Sequence, residues 1–236
     1  MKDLCLVIGS AGSGRSEVAA DLAKFAWPAG DSIRVITHGA TAGEAHWSWD
    51  GTHAALPAPG DERAAILVSD GRRSQVDQLE ALIAATPVAG WRITRIICTV
   101  DLPLLHQQAA LTDWYMACLH FSDAAVLVGR AAVPNAWLSS FLERIRTESM
   151  PCLVVQLPKT GGLPNPAELI EGEPRRMSLV LDDLDAVDEM EFDEDNLPEE
   201  PFDLVRKTDP YFERDMHGRR VLGLPDITQV LREAGR

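Results

Sequence analysis

The sequence predicts an α/β protein with a doubly wound, mostly parallel sheet. Apolar, β-rich runs recur along its 236 residues, helical patterns separate them, and a glycine-rich turn joins the first run to the first helix. The strands read in order as Leu4 to Ile8, Ile33 to Thr37, Ala64 to Ser69, Ile93 to Val100, Ala124 to Val128 and Cys152 to Gln156. Several are apolar almost throughout, which fits strands covered on both faces. Helical patterns fall at 15–26, 74–85, 107–119 and 134–147, so strand and helix alternate. Gly39 to Asp61 lacks a period and reads as a long loop. Beyond residue 157 the chain turns into a Gly/Pro-rich linker. "MSLVL" then reads as a further short strand, and "DITQVLREA" as a closing helix capped by Asp226. The expected division is an α/β domain over 1–175 and an acidic, partly disordered extension over 176–236.

The net charge of −14 is a local property. Residues 182–203 carry twelve of the 36 acidic residues and no Lys or Arg, so the rest of the chain holds 24 acids against 22 bases. No basic face is visible, which argues against nucleic acid as a partner. The acidic run is instead a candidate docking arm for a protein partner, expected to be extended and mobile. No apolar run approaches the length of a membrane span, and no charged leader precedes an apolar stretch. Those features, with the scattered Cys5, Cys98, Cys118 and Cys152 read as buried thiols, predict a cytoplasmic protein that neither crosses nor coats a membrane.

The chemistry concentrates in "LVIGSAGSGRS". Gly9, Ser10, Ala11, Gly12, Ser13, Gly14, Arg15 and Ser16 match the pattern G-x4-G-[KR]-[ST] between an apolar strand and an amphipathic helix. Glycines let backbone N–H groups turn inward, and the helix N-terminus favours an anion, so this loop is a candidate cradle for the phosphates of GTP or ATP. Ser16 offers a hydroxyl suited to Mg2+. Asp70, ending "AAILVSD", and Asp101, ending "ITRIICTVD", are candidates to orient the same ion, or to cap the turns that follow them. Arg15 stands where such loops carry lysine. Guanidinium keeps the charge but not the geometry, so phosphate binding is expected to survive better than hydrolysis. Among other groups, His38, His46 and His53 share the long loop without paired acids, and His106 and His120 have no nucleophile motif beside them. Trp114, Tyr115 and Phe121 read as packing aromatics, with Tyr115 and Trp137 as possible edges of a base pocket. No acidic residue closes a second strand near "RVITHG", which removes a dinucleotide site.

The chain resembles the CobW-like P-loop GTPases over roughly residues 1–157. The likeness rests on "LVIGSAGSGRS", on "ILVSDG", and on "TVD" followed by "HFSDAAVLVGR". The resemblance implies a sheet of the P-loop NTPase type, a nucleoside triphosphate and Mg2+ as ligands, and a base-reading motif after the "AAVLV" strand. The chain departs from that family at Arg15, at Val68 where the family has an acidic residue, and at Gly129-Arg130 where Asn-Lys would read guanine. The family's cysteine-rich metal motif is absent. The expected function is therefore nucleotide binding with weak or lost hydrolysis, in a nucleotide-gated switch or assembly factor. The alternatives are a non-catalytic α/β scaffold that binds through its acidic tail, and a small-molecule kinase of P-loop type.

Overall fold

The computed structural model describes residues 1–39, 45–159, 161–182 and 208–235. Within them the strands are β1 (Lys2–Gly9), β2 (Ile33–His38), β3 (Ala45–Trp49), β4 (Ala54–Ala55), β5 (Ala64–Val68), β6 (Trp91–Asp101), β7 (Ala124–Val128) and β8 (Leu153–Gln156). They form one sheet in the order β4-β3-β2-β5-β1-β6-β7-β8. Every pairing is parallel except that of β3 with β4. All six strands read from the sequence are present. β3 and β4 are not among them, because they lie where a loop was expected. β4 has two residues, and β3 buries only Trp47 fully, so neither carries a legible apolar period. Trp47 anchors β3 by donating its indole N–H to the carbonyl of Val68, 2.9 Å away.

The helices are α1 (Arg15–Phe25), α2 (Gln75–Ala89), α3 (Leu102–Gln107), α4 (Leu111–His120), α5 (Asn135–Thr147) and α6 (Ile227–Glu233). Ser74 caps α2 by accepting from the amide of Asp77, and Gly90 ends it in the left-handed region at φ 91°. The single helix expected at 107–119 is two. Asp101 accepts the amide of Leu104 at 2.9 Å and starts α3 early, and the chain breaks at Gln108 before α4. Asp226 does cap α6. "MSLVL" forms no strand: the amides of Met177 and Ser178 both donate to the carbonyl of His120 at 3.1 Å, which leaves no ladder to extend.

Alternation along β1 places a core on each face of the sheet. Leu4, Leu6 and Ile8 face α2, α4, α5 and α6, whereas Cys5 and Val7 face α1 and the 3₁₀ turn Pro166–Leu169. The helices therefore wind on both sides, which is the doubly wound arrangement. All four cysteines are buried thiols. Burial pushes Cys5 and Cys152 up to about 12, which makes them packing groups rather than nucleophiles.

Several of the described residues after 175 join the same core. Ile227, Val230 and Leu231 of α6 are buried with α4, and Phe212 stacks on Phe121 with ring centres 5.0 Å apart. Asp209 ties the start and end of this region together. Its carboxylate lies 2.8 Å from His120 Nε2 and accepts the Ser178 hydroxyl at 2.5 Å. Burial alone would raise the Asp209 pKa, but the hydrogen bonds from His120 and Ser178 hold it below the ordinary carboxylate value. The acidic run at 182–203, apart from Asp182, lies outside the described residues.

Candidate functional site

The glycine loop leaves the carboxyl end of β1 at the centre of the sheet, between the ends of β5 and β6. Gly9 is required there. Its φ is +140°, and a Cβ would sit 2.4 Å from Thr99 Oγ1 and 2.5 Å from the Thr99 carbonyl. At the other end Gly14, with φ +81°, turns the chain into α1 without a side-chain cap. The first-turn amides of α1 are therefore left uncapped.

The two inner serines of the loop are framework. Ser10 Oγ lies 2.8 Å from Tyr115 Oη, and Ser13 Oγ lies 2.6 Å from Thr99 Oγ1 while donating to the Ser10 carbonyl at 2.7 Å. Both serines are fully buried, so their side chains hold the loop's shape and do not face a ligand. Tyr115 also accepts the amide of Asp101 at 3.1 Å, and burial raises its pKa, keeping it a neutral phenol. The aromatic expected to edge a base pocket is thus a post beneath the loop. Trp137 stacks on Phe141 and sits against His106, away from the loop.

Three loop amides are already spent, and the first, Gly9 N–H, donates to the Gln75 side-chain oxygen at 3.4 Å. Ala11 N–H donates to the Gly71 carbonyl at 2.9 Å and Ser13 N–H to the Ser10 carbonyl at 3.2 Å. The amides of Gly12, Gly14, Arg15 and Ser16 have no acceptor among the described residues, and the Ser16 side chain is exposed. Four unpaired donors at a helix N-terminus form a concave, electropositive cradle.

Arg15 does not extend over that cradle. It folds back to the β5 side, donating from Nε to the Ser10 carbonyl at 3.1 Å and from a terminal nitrogen to the Ser69 carbonyl. Burial lowers its pKa and the nearby Asp70 charge opposes the shift. Gly71 is the only residue type that fits beside it, since a Cβ there would lie 2.5 Å from both Arg15 Nη2 and Ala11 N. Gln75 completes this side. It is buried, accepts from the Ser69 hydroxyl at 2.5 Å, and donates to the carbonyls of Asp70 and Arg73 at 2.8 and 3.0 Å. Gln75 and Thr99 carried no signal as site residues, whereas the glycine after Asp70 already suggested a close backbone approach. A glutamine at the start of an amphipathic helix looks solvated, and only its position after "SDGRRS" hinted otherwise.

The expected magnesium ligands do not assemble. Asp101 spends its Oδ1 on the α3 cap and is buried. Asp70 lies 3.7 Å from Arg73 Nε and 3.8 Å from His38 Nδ1, and it accepts the Arg72 amide at 3.1 Å. Magnesium favours one or two carboxylates together with phosphate oxygens. Of the three candidates only Ser16 presents an exposed oxygen, and this donor set alone does not fit the ion. No group of three His, Cys, Asp or Glu side chains that could hold a metal occurs among the described residues. The three loop histidines stand apart: His38 meets Asp70 and Trp47, His46 is exposed, and His53 pairs with Asp50 at 3.6 Å.

A cavity of about 580 Å³ opens at the carboxyl ends of β7 and β8, between Val128 to Ala131 and Gln156 to Lys159. It adjoins the loop, because a Cβ on Gly14 would meet the Val128 methyls at 3.7 Å. Gly129 keeps its mouth in place: φ is +79°, and a Cβ would strike Pro103 at 2.6 Å. None of the described residues that line it is an Asp or Glu. Arg130 is turned away to the Val133 carbonyl and the Asn135 side chain.

A parallel sheet whose central strand delivers a G-x4-G-[KR]-[ST] loop onto a helix N-terminus is the architecture of the P-loop NTPases, and this chain has that fold. No family model and no curated protein matches the chain. Among solved structures it is similar to the Zn(II)-bound YjiA GTPase from E. coli, at 14% identity and a TM-score of 0.45, over 74% of this chain and 66% of that one. The match thus spans just under two thirds of that protein's length. Among the described residues, no helix is long and apolar enough to cross a membrane.

Proposed function

We propose that the protein binds a purine nucleotide, its phosphates on the amides of Gly12, Gly14, Arg15 and Ser16 and its base in the cavity between the β7 and β8 ends. The observation that supports this most is the adjacency of the two features: unpaired donors for the phosphates lie one side chain away from a cavity of about 580 Å³. Hydrolysis is slow or lost. Val68 stands where the resemblance calls for an acid, Asp70 lies beside Arg73 and His38, and Arg15 is bound to carbonyls, so no described side chain is poised to orient a water. None of the described residues lining the cavity supplies the carboxylate that would accept guanine's paired N–H groups, which leaves GTP and ATP on nearly equal terms. Such a protein works by being occupied or empty, as a nucleotide-gated switch or assembly factor, with residues 182–203 as the arm that meets a protein partner.

Titration calorimetry with ADP, GDP, ATP and GTP, with and without magnesium, tests this reading. Saturable binding of at least one, abolished in Gly14→Val, is expected. If none binds at millimolar concentration, the site is a scaffold turn and the reading fails.

A further inference from the structure

The two flanks of the loop differ, and the difference selects among nucleotides. The sheet order β5-β1-β6-β7-β8 puts the cavity on one side of the loop and the end of β5 on the other. A ligand with its base in the cavity therefore lays its first phosphates across the open amides of Gly14, Arg15, Ser16 and Gly12. Its chain then points toward Ser69, Asp70 and Gly71. That end is shut. The Gly71 carbonyl is bonded to the Ala11 amide at 2.9 Å, so that amide is not open to a third phosphate. The Arg15 guanidinium fills the space between the Ser10 and Ser69 carbonyls. Gly71 packs so closely on both that even a methyl group would not fit. Gln75 and Gln78 fix the backbone behind them, both donating to the Asp70 carbonyl at 2.8 Å.

We propose, building on the nucleotide reading above, that this site takes a nucleoside diphosphate and excludes a third phosphate, with Arg15 and the Gly71 to Ala11 hydrogen bond as the stop. Admitting a third phosphate requires breaking the Ala11 hydrogen bond and moving a half-buried guanidinium from two carbonyls. A diphosphate requires neither. The protein then reads the diphosphate product of a nucleoside triphosphatase or kinase and has no substrate to cleave, which accounts for the missing acid at Val68.

The test is calorimetry of the full-length protein with ADP and GDP against their β,γ-imido triphosphates. For whichever base is accepted, the diphosphate is expected to bind at least about tenfold more tightly. Triphosphate binding of equal or greater affinity overturns the proposal and leaves the nucleotide reading standing. Binding of neither overturns both. Arg15→Lys, which keeps the charge and releases the Ser69 carbonyl, should narrow the preference to about threefold or less, and an unchanged preference would remove Arg15 from the account. Should that variant not fold, wild-type protein decides through the diphosphate and triphosphate affinities themselves, and equal affinities overturn the proposal.

Discussion

The two flanks of the glycine loop are built from opposite materials. On the β5 side Arg15 donates to the Ser69 carbonyl, Ser69 to Gln75, Gln75 to the Asp70 carbonyl, and Ala11 to the Gly71 carbonyl. On the β7 and β8 side Val128 to Ala131 and Gln156 to Lys159 surround open space. A loop between them has one flank that is pre-organised and one that is available, so ligand geometry is set by the closed side and ligand identity by the open one.

Changes to the buried framework should have the largest effects. Gly9→Ala combines a φ of +140° with a Cβ 2.4 Å from Thr99, and should cost about 3 kcal/mol or more of stability in urea unfolding. A loss under about 1 kcal/mol would mean that β1 and β6 separate more easily than their packing indicates. Tyr115→Phe removes the partner of both Ser10 Oγ and the Asp101 amide, and should cost about 2 kcal/mol. A double-mutant cycle with Ser10→Ala should show strong coupling, since the hydroxyl has no other mate. The open flank should respond in binding alone. Ala131→Trp fills the cavity mouth from an exposed position, and should weaken nucleotide about tenfold while stability stays within about 0.5 kcal/mol. Unaltered affinity would place the base elsewhere.

The smallest effect belongs to a site remote from both flanks. Asp209 has a folded-state pKa below the ordinary 3.8, so its carboxylate contributes stability that is complete above that value and disappears as pH falls through the folded pKa. Asp209→Asn should therefore be about 1 kcal/mol less stable than wild type at pH 7, with the gap closing in acid and nucleotide affinity unchanged. A gap that widens on acidification would assign the stabilisation to His120 alone.

The sheet was legible because parallel strands buried on both faces must be apolar throughout, as "LCLVI", "AAILV" and "AAVLV" are. β3 escaped because one buried tryptophan in "AHWSW" sets no period, and α3 because its start depends on the Asp101 cap within an otherwise continuous apolar stretch. The glycine loop at the end of β1 was legible from its glycine spacing between an apolar strand and an amphipathic helix. Its closed flank was not, since the bonds that close it run from Arg15 to Ser69 and from Ala11 to Gly71, between segments more than fifty residues apart. Asp70 looked like a metal ligand at a strand end, and only the fold reveals that Arg73 and His38 already stand beside it.

Hydrogen exchange at the loop tests the central claim most directly. With saturating ADP or GDP, the amides of Gly12, Gly14, Arg15 and Ser16 should gain protection, while Ala11 and Ser13, already bonded to Gly71 and Ser10, should not change. Nucleotide binding that leaves those four amides unprotected, or that exposes Ala11, would contradict the account.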